Sequence, residues 1–341
     1  MDNNILFDCS NYFTGWGEVL LRLSPPDTQQ LMHTNMLLSY FGGAEANCAV
    51  LLSQLGIKTQ LVTVLPDNEL GKAVLRYFRG FGINMDCVIV KNDSRLGLYF
   101  YEKGVDLRPP RLIYDRAHSA LASLQKDEIK WDEVLHDCGW FHTTGITLSL
   151  SHILTEETVK AYDAVKRNNG IVSFDINYRS TLWKNISHAK TVMREFVKKV
   201  DVLIGNEDHI KKLLLPEYIT NYNDIIDYLF TEYSNVKLIL ITHRFTTNAS
   251  ETEIGALAST RQALTELKVR KLKDVVDRIG SGDAMAAAFI YSFIKGNDLN
   301  YCVDFALAAG ALAHTVDGDN FIVNESDIIT VMENKSWQLI R

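Results

Sequence analysis

The sequence predicts a doubly wound α/β sandwich with a mostly parallel central sheet and a small β-strand lid. Three observations predict it. From about residue 130 onward, short, continuously apolar runs alternate with helical patterns, as in a parallel sheet buried on both faces. Two segments, 18–38 and 88–114, are strand-rich without intervening helices and suit a separate sheet beside the sandwich. No Pro/Ser-rich linker divides the 341 residues, so one domain over 1–341 is expected, its lid formed by about 18–38 and 88–116.

Taken in order, β-branched and apolar runs predict strands at 18–23, 59–64, 88–91, 98–102, 140–143, 171–176, 202–205 and 237–242. Between them, helical spacing predicts helices at 46–55, 70–81, 156–168, 188–199 and 224–233. Two further helices, 283–294 and 299–315, are separated by the turn Lys295-Gly296-Asn297-Asp298.

Composition narrows the function classes. Apolar residues make up 47% and charged residues 23%, close to the globular average, and the net charge is −7. An acidic chain without a Lys/Arg-rich run argues against nucleic-acid partners. The longest nearly unbroken apolar run, 284–294, falls short of the ~18–20 residues that span a bilayer, so no membrane partner is expected. The opening MDNNILFDCSNYF has no basic region and no small-residue cleavage site, which points to the cytoplasm. Cys9, Cys48, Cys87, Cys138 and Cys302 are odd in number and scattered, and read as free thiols in a reducing compartment. His136, Cys138 and His142 read as strand packing, not as metal ligands.

The most informative stretch is Asp277-Arg278-Ile279-Gly280-Ser281-Gly282-Asp283-Ala284. Gly280, Ser281 and Gly282 precede a long helix, so their N–H groups and the helix N-terminus form an anion site suited to a transferring phosphoryl group. Asp283 stands at its mouth, where a carboxylate can take a proton from an attacking hydroxyl. A second motif, Phe41-Gly42-Gly43-Ala44-Glu45-Ala46-Asn47, again sets paired glycines before a helix. There Asn47 offers a donor and an acceptor to sugar hydroxyls. No Walker loop, protein-kinase set, H-E-x-x-H or G-x-S-x-G occurs.

Together the late Asp-x-x-Gly-x-Gly-Asp and the early Gly-Gly-x-x-x-Asn resemble the two signatures of the ribokinase-like (PfkB) carbohydrate kinases, and the likeness runs from about Gly17 to the C-terminus. The opening 17–26, the stretches 42–47, 68–71 and 97–100, and the segments 114–120, 174–179 and 314–319 look like 2-keto-3-deoxygluconate (KDG) kinases within that family. The resemblance implies an α/β sandwich with a β lid, ATP and Mg2+ as cofactors, a monovalent cation as a further candidate, and phosphorylation of a sugar acid at its terminal hydroxyl. It implies Gly43, Asn47, Tyr99, Tyr114, Arg116, Arg179 and Asp319 as substrate contacts. It also implies Asn177, Asn206, Thr242, Gly280, Gly282, Leu307 and Gly310 on the nucleotide side. A buried substrate carboxylate must be paired, and Arg116 and Arg179 are its candidate partners. Two alternatives stay open: another sugar kinase such as a fructokinase, or a non-catalytic sugar-acid-binding regulator.

The chain departs from the family pattern at three places. Where relatives carry Asn-x-x-Glu, it reads Asn206-Glu207-Asp208-His209, which leaves Glu207 as the magnesium candidate. The glycine-bearing nucleotide loop is replaced by 241–248, Ile-Thr-His-Arg-Phe-Thr-Thr-Asn. Leu307 stands where some relatives place an adenine-contacting Asn, so an apolar adenine wall of Leu307, Gly310 and Ala311 is expected. A lid with open strand edges further suggests a homodimer formed through the lid.

Overall fold

A computed structural model describes residues 11–246 and 248–333; Cys9, the opening ten residues and Thr247 lie outside the described residues. The main sheet runs in the order Lys268–Leu272, Thr252–Thr260, Leu238–Thr246, Val202–Asn206, Ile171–Asp175, Cys138–Thr144, Tyr12–Trp16, Thr59–Val62. From Leu238–Thr246 to Thr59–Val62 all neighbours are parallel. The other two strands add an antiparallel edge. Val202, Leu203, Ile204 and Leu238–Ile241 are buried, because helices cover both faces of this part of the sheet.

Two apolar cores result. One lies under helices Ala44–Gln54, Ser281–Ile294 and Leu299–Ala313, the other under His152–Arg167, Ile186–Val197, Glu207–Leu214 and Tyr222–Glu232. Ala284, Ala286, Ala287 and Ala288 are all buried, and their small side chains let the neighbouring helices approach Ser281–Ile294 closely. No helix among the described residues is long and apolar enough to cross a membrane.

A separate small sheet has the order Leu38–Gly42, Leu20–Ser24, Gly97–Glu102, Arg111–Asp115. Its central pair is parallel and its outer pairs are antiparallel. The expected strand 18–23 is Leu20–Ser24 of the small sheet; Tyr12–Trp16, before it in the main sheet, was not expected from the sequence. Gly17 stands at the crossing, where a Cβ would meet Glu45 Oε2 at 2.0 Å. The expected strand 88–91 departs from the lid reading, since Ile89–Lys91 pairs in parallel with Val64–Pro66 in a ribbon of its own. The edge strands Thr252–Thr260 and Lys268–Leu272 were not expected from the sequence.

Candidate active site

A cavity of about 520 Å³ opens at the C-terminal ends of the parallel strands, between the two sheets. Open α/β sheets place their ligands at this edge, because the strand ends and helix N-termini converge there. Asp175 and Asn206 at the ends of their strands, and Thr242 where the parallel pairing of Leu238–Thr246 ends, line the cavity together with Asn177 and Arg179. Asn177 carries a φ of 27°, in the sharp turn that leads from strand Ile171–Asp175 to Arg179.

The two glycine motifs meet on one wall. Gly280 has a φ of 76°, and a Cβ there would stand 2.1 Å from the Asp319 carbonyl oxygen. The Asp277 carboxylate accepts the backbone N–H of Arg278 at 2.7 Å and of Ile279 at 3.0 Å, which bends the chain into Gly280. Gly43 packs against the Glu18 carbonyl, and its N–H donates to Asn47 Oδ1 at 3.2 Å. With its other end, Asn47 donates through Nδ2 to Asp283 Oδ2 at 2.7 Å, so residues 236 apart in sequence share one hydrogen bond. Burial pushes the Asp283 carboxyl up to about 7; Asn47 and Arg179 oppose the shift, while Asp175 adds to it. Burial likewise raises Asp175 to about 6 and Glu45 to about 7. Ser281 is buried outside the cavity wall: its Oγ donates to the Arg278 carbonyl at 3.0 Å, so only its backbone is free to serve an anion.

Two cations escaped the sequence reading. Arg244, in the altered loop, donates to Ser281 Oγ at 2.6 Å, and Arg278 staples the neighbouring turn through Thr246 Oγ1 at 3.0 Å and the Asn248 carbonyl at 2.7 Å. Both line the cavity with Arg179, which makes no side-chain hydrogen bond or ion pair among the described residues. The cavity walls and the repulsion of Arg278 and Arg179 lower the Arg244 pKa, although its side chain is partly open to solvent. Three guanidinium groups beside one helix N-terminus form a wall that an anion would stabilise. The signal was present in Thr242-His243-Arg244, where a side-chain cation replaces a glycine loop.

The opposite wall comes from the small sheet. Tyr99 and Tyr114 stand with ring centres 6.0 Å apart, and both line the cavity. Arg116 lines it too, but its Nε donates to Glu18 Oε2 at 2.8 Å, and Ser119 holds the other Glu18 oxygen. Its charge is thus already paired, which departs from the expected open guanidinium. Asp319 accepts from Arg22 Nη1 at 3.1 Å and from the Tyr99 hydroxyl.

Three expected nucleotide or metal residues lie elsewhere. Leu307 and Gly310 are buried within helix Leu299–Ala313; a Cβ on Gly310 would stand 2.3 Å from Met285 Cγ, and it is Met285 that lines the cavity. Helix-to-helix packing, not an adenine wall, accounts for the small residue there. Glu207 is outside the cavity wall, its oxygens engaged by Lys211 at 2.6 Å, Tyr222 at 2.5 Å and His243 at 3.1 Å. Although burial works the other way, these donors hold its carboxyl below the usual range. Among the described residues no group of three His, Cys, Asp or Glu side chains could hold a metal ion. His209, in place of the family's glutamate, lines the cavity as a neutral ring, lowered to about 4 by burial and by Arg179.

The comparison with known proteins agrees with this layout. The model of the pfkB family of carbohydrate kinases matches residues 13–326. The 2-dehydro-3-deoxygalactonokinase of Haloferax volcanii is 32% identical over 317 residues, covering 93% of this chain and 95% of that protein. The 2-dehydro-3-deoxygluconokinase of Thermoproteus tenax is 28% identical over 306 residues, with 89% and 88% covered. A crystal structure of 2-dehydro-3-deoxygluconokinase from Thermotoga maritima superposes with a TM-score of 0.89 at 34% identity, over 95% of this chain and 98% of that one. The family model and these relatives match almost the whole length, and the chain belongs to the pfkB family of carbohydrate kinases.

Proposed function

We propose that the protein transfers the γ-phosphoryl group of ATP to the terminal hydroxyl of a 2-keto-3-deoxy sugar acid, with 2-keto-3-deoxygluconate and its galactonate epimer as the leading substrates. The observation that carries this reading is Arg179, whose guanidinium reaches the cavity unpaired beside Asp283. Arg179 is exposed at the cavity and has no partner among the described residues, and a substrate carboxylate offers its guanidinium two parallel hydrogen bonds that a neutral sugar does not. The names of the relatives favour the same substrate class.

In this reading Asp283 takes the proton of the C6 hydroxyl while that oxygen attacks the γ-phosphorus, and ADP leaves. The N–H groups of Gly280, Ser281 and Gly282 face the charge on the transferring oxygens. Arg244 and Arg278 hold the phosphate chain, with Asn177, Asn206 and Thr242 along the same wall. Gly43, Asn47, Tyr99, Tyr114, Arg116 and Asp319 surround the sugar. Because Glu207 is engaged elsewhere, magnesium would enter with the triphosphate and keep most of its water ligands, supplying charge neutralisation between the phosphates. The small sheet, made of Leu20–Ser24, Leu38–Gly42, Gly97–Glu102 and Arg111–Asp115, acts as the lid that excludes water.

ADP release with a panel of 2-keto-3-deoxygluconate, 2-keto-3-deoxygalactonate, the corresponding C1 alcohols and fructose tests the assignment. Turnover with the acids and at least tenfold lower kcat/KM with the alcohols is expected. Equal use of the alcohols, or a preference for fructose, overturns it. We further propose a cytoplasmic homodimer joined through the small sheet. Met36, Leu37, Leu112 and Ile113 leave that sheet and its approach apolar and exposed, and Cys48, Cys87, Cys138 and Cys302 are free thiols. Sedimentation as a monomer at micromolar concentration would refute the dimer.

A further inference from the structure

Arg22 stands on strand Leu20–Ser24 of the small sheet and is wholly buried. Its Nη2 donates to Asp277 Oδ2 at 2.6 Å, its Nη1 to Asp319 Oδ1 at 3.1 Å and its Nε to Ser24 Oγ at 2.8 Å. The rings of Tyr40 and Tyr101 lie over the guanidinium at 5.0 and 4.6 Å. Burial opposes the charge, yet Asp277 and Asp319 outweigh it and keep Arg22 firmly protonated.

Each carboxylate leads to a different reactant. Asp277 gathers the backbone N–H groups of Arg278, Ile279 and Gly318, and so shapes the loop that presents Gly280 and Gly282. Asp319 receives the hydroxyl of Tyr99 on the sugar wall, and its own carbonyl rests on Gly280. Two further ties join the same regions: Lys103 with Asp317, and Asn320 Nδ2 with the Phe41 carbonyl at 2.6 Å. Burying an ion against two carboxylates adds little to stability compared with apolar packing of the same volume. What the planar fork provides is a fixed geometry, since it meets two acceptors at one distance and one angle.

We propose that Arg22 is a positioning residue for phosphoryl transfer: its fork bolts the small sheet to residues 277–280 and sets the separation between the sugar wall and the phosphoryl-binding N–H groups. The inference rests on the proposed function only in taking Gly280–Asp283 as the phosphoryl-transfer centre. Which carbohydrate is the acceptor does not enter it.

The test uses the full chain in two variants, Arg22→Lys and the double change Arg22→Met with Asp277→Asn, which leaves the net charge of the cluster unaltered. Folding is followed by thermal unfolding, and ATP affinity by titration calorimetry. ADP and sugar phosphate are each quantified with any acceptor the wild type phosphorylates, so a failed sugar-acid assignment and a failed positioning role give different results. Both variants should fold and bind ATP within threefold of wild type. Their kcat should fall at least tenfold, and the ratio of ADP to sugar phosphate should at least double, because a misaligned hydroxyl lets water compete. A folded variant with kcat and product ratio within twofold of wild type overturns the proposal. So does a loss of kcat that only follows the fraction unfolded, or the failure of both variants to fold, since either result makes Arg22 a stability residue.

Discussion

Removing the single hydrogen bond from Asn47 to Asp283 should move the pH dependence of the reaction. The Asp283 carboxyl sits near 7 because burial outweighs the Asn47 donor 2.7 Å away and the nearby Arg179. A carboxylate that must act as a base is competent only above its pKa, so kcat/KM for the wild type should fall about tenfold per pH unit below about 7. Asn47→Leu keeps the volume and deletes the donor. A hydrogen bond to a charged group is worth ~1.5–3 kcal/mol, and one pKa unit is ~1.4 kcal/mol, so the limb should move up by about one to two units. At pH 7 the deprotonated fraction then drops from about half to about a tenth or less, and raising the pH restores the lost rate. ADP release from pH 5.5 to 9.5 measures the limb, with Asp283→Asn as the control that loses at least ~10²-fold at every pH. If the limb of Asn47→Leu stays within 0.3 units of wild type, Asp283 is not the titrating base.

Four further outcomes are expected. The raised Asp283 carboxyl binds its proton more tightly in the folded than in the unfolded chain, so its burial costs stability progressively as pH rises from about 4 to about 7; the difference in Tm between Asp283→Asn and wild type should therefore grow in the variant's favour from pH 5 to pH 8. Arg179→Lys should raise KM for the sugar acid at least ~10-fold and Arg179→Ala further, with KM for ATP within twofold; a collapse of kcat at constant sugar KM would reassign Arg179 to the phosphate. For Arg244→Ala the reverse is expected, KM for ATP rising at least ~10-fold while sugar KM holds within threefold, and unchanged nucleotide kinetics would remove it from the phosphate wall. Gly280→Ala forces a left-handed φ on a residue with a Cβ and drives that Cβ into the Asp319 carbonyl, so denaturant unfolding should show a loss of at least ~2 kcal/mol along with near-complete loss of turnover.

How far the sequence foretold this arrangement differed with the range of the interaction. Strands such as Ile171–Asp175 and Val202–Asn206 announce themselves because burial on both faces leaves no polar alternation to read. Thr252–Thr260 does not: its Ala256 and Ala258, packed in the core with helix Leu299–Ala313, and Gly255 on the other face carry no β-branched signature. Lys268–Leu272 reads Lys-Val-Arg-Lys-Leu, three charges in five residues with no clean alternation, at the sheet edge, and resembles a loop. Tyr12–Trp16 went unread as a strand, since nothing local marks Gly17 as the crossing between sheets. In the cavity, the motif residues Asn47, Gly280 and Asp283 were legible because each motif has its own backbone chemistry. The pairing of Arg116 with Glu18 was not legible, because the partners stand 98 residues apart and only the parallel alignment of Leu20–Ser24 with Gly97–Glu102 brings their segments together. The packing of Leu307 and Gly310 inside their helix was not legible for a related reason: a face of a helix cannot be told from sequence until its neighbour, here Met285, is known.

The hairpin that carries Arg244 has a bearing on how this enzyme could change its phosphate donor. Strand Leu238–Thr246 is buried as far as Ile241 and then projects beyond the parallel core, paired only with its antiparallel neighbour up to Thr246 and Thr252. Substitutions at its tip leave the packed interior untouched, so the tip can vary with little loss of stability. A cation assigned by the proposal to the phosphate donor, carried on such an outlying arm, is open to mutational drift in a way that Gly280 and Asp283 are not. Selection of random libraries for growth on an altered nucleoside triphosphate should accordingly collect its accepted changes between residues 243 and 251, while the glycine loop and its aspartate return unaltered.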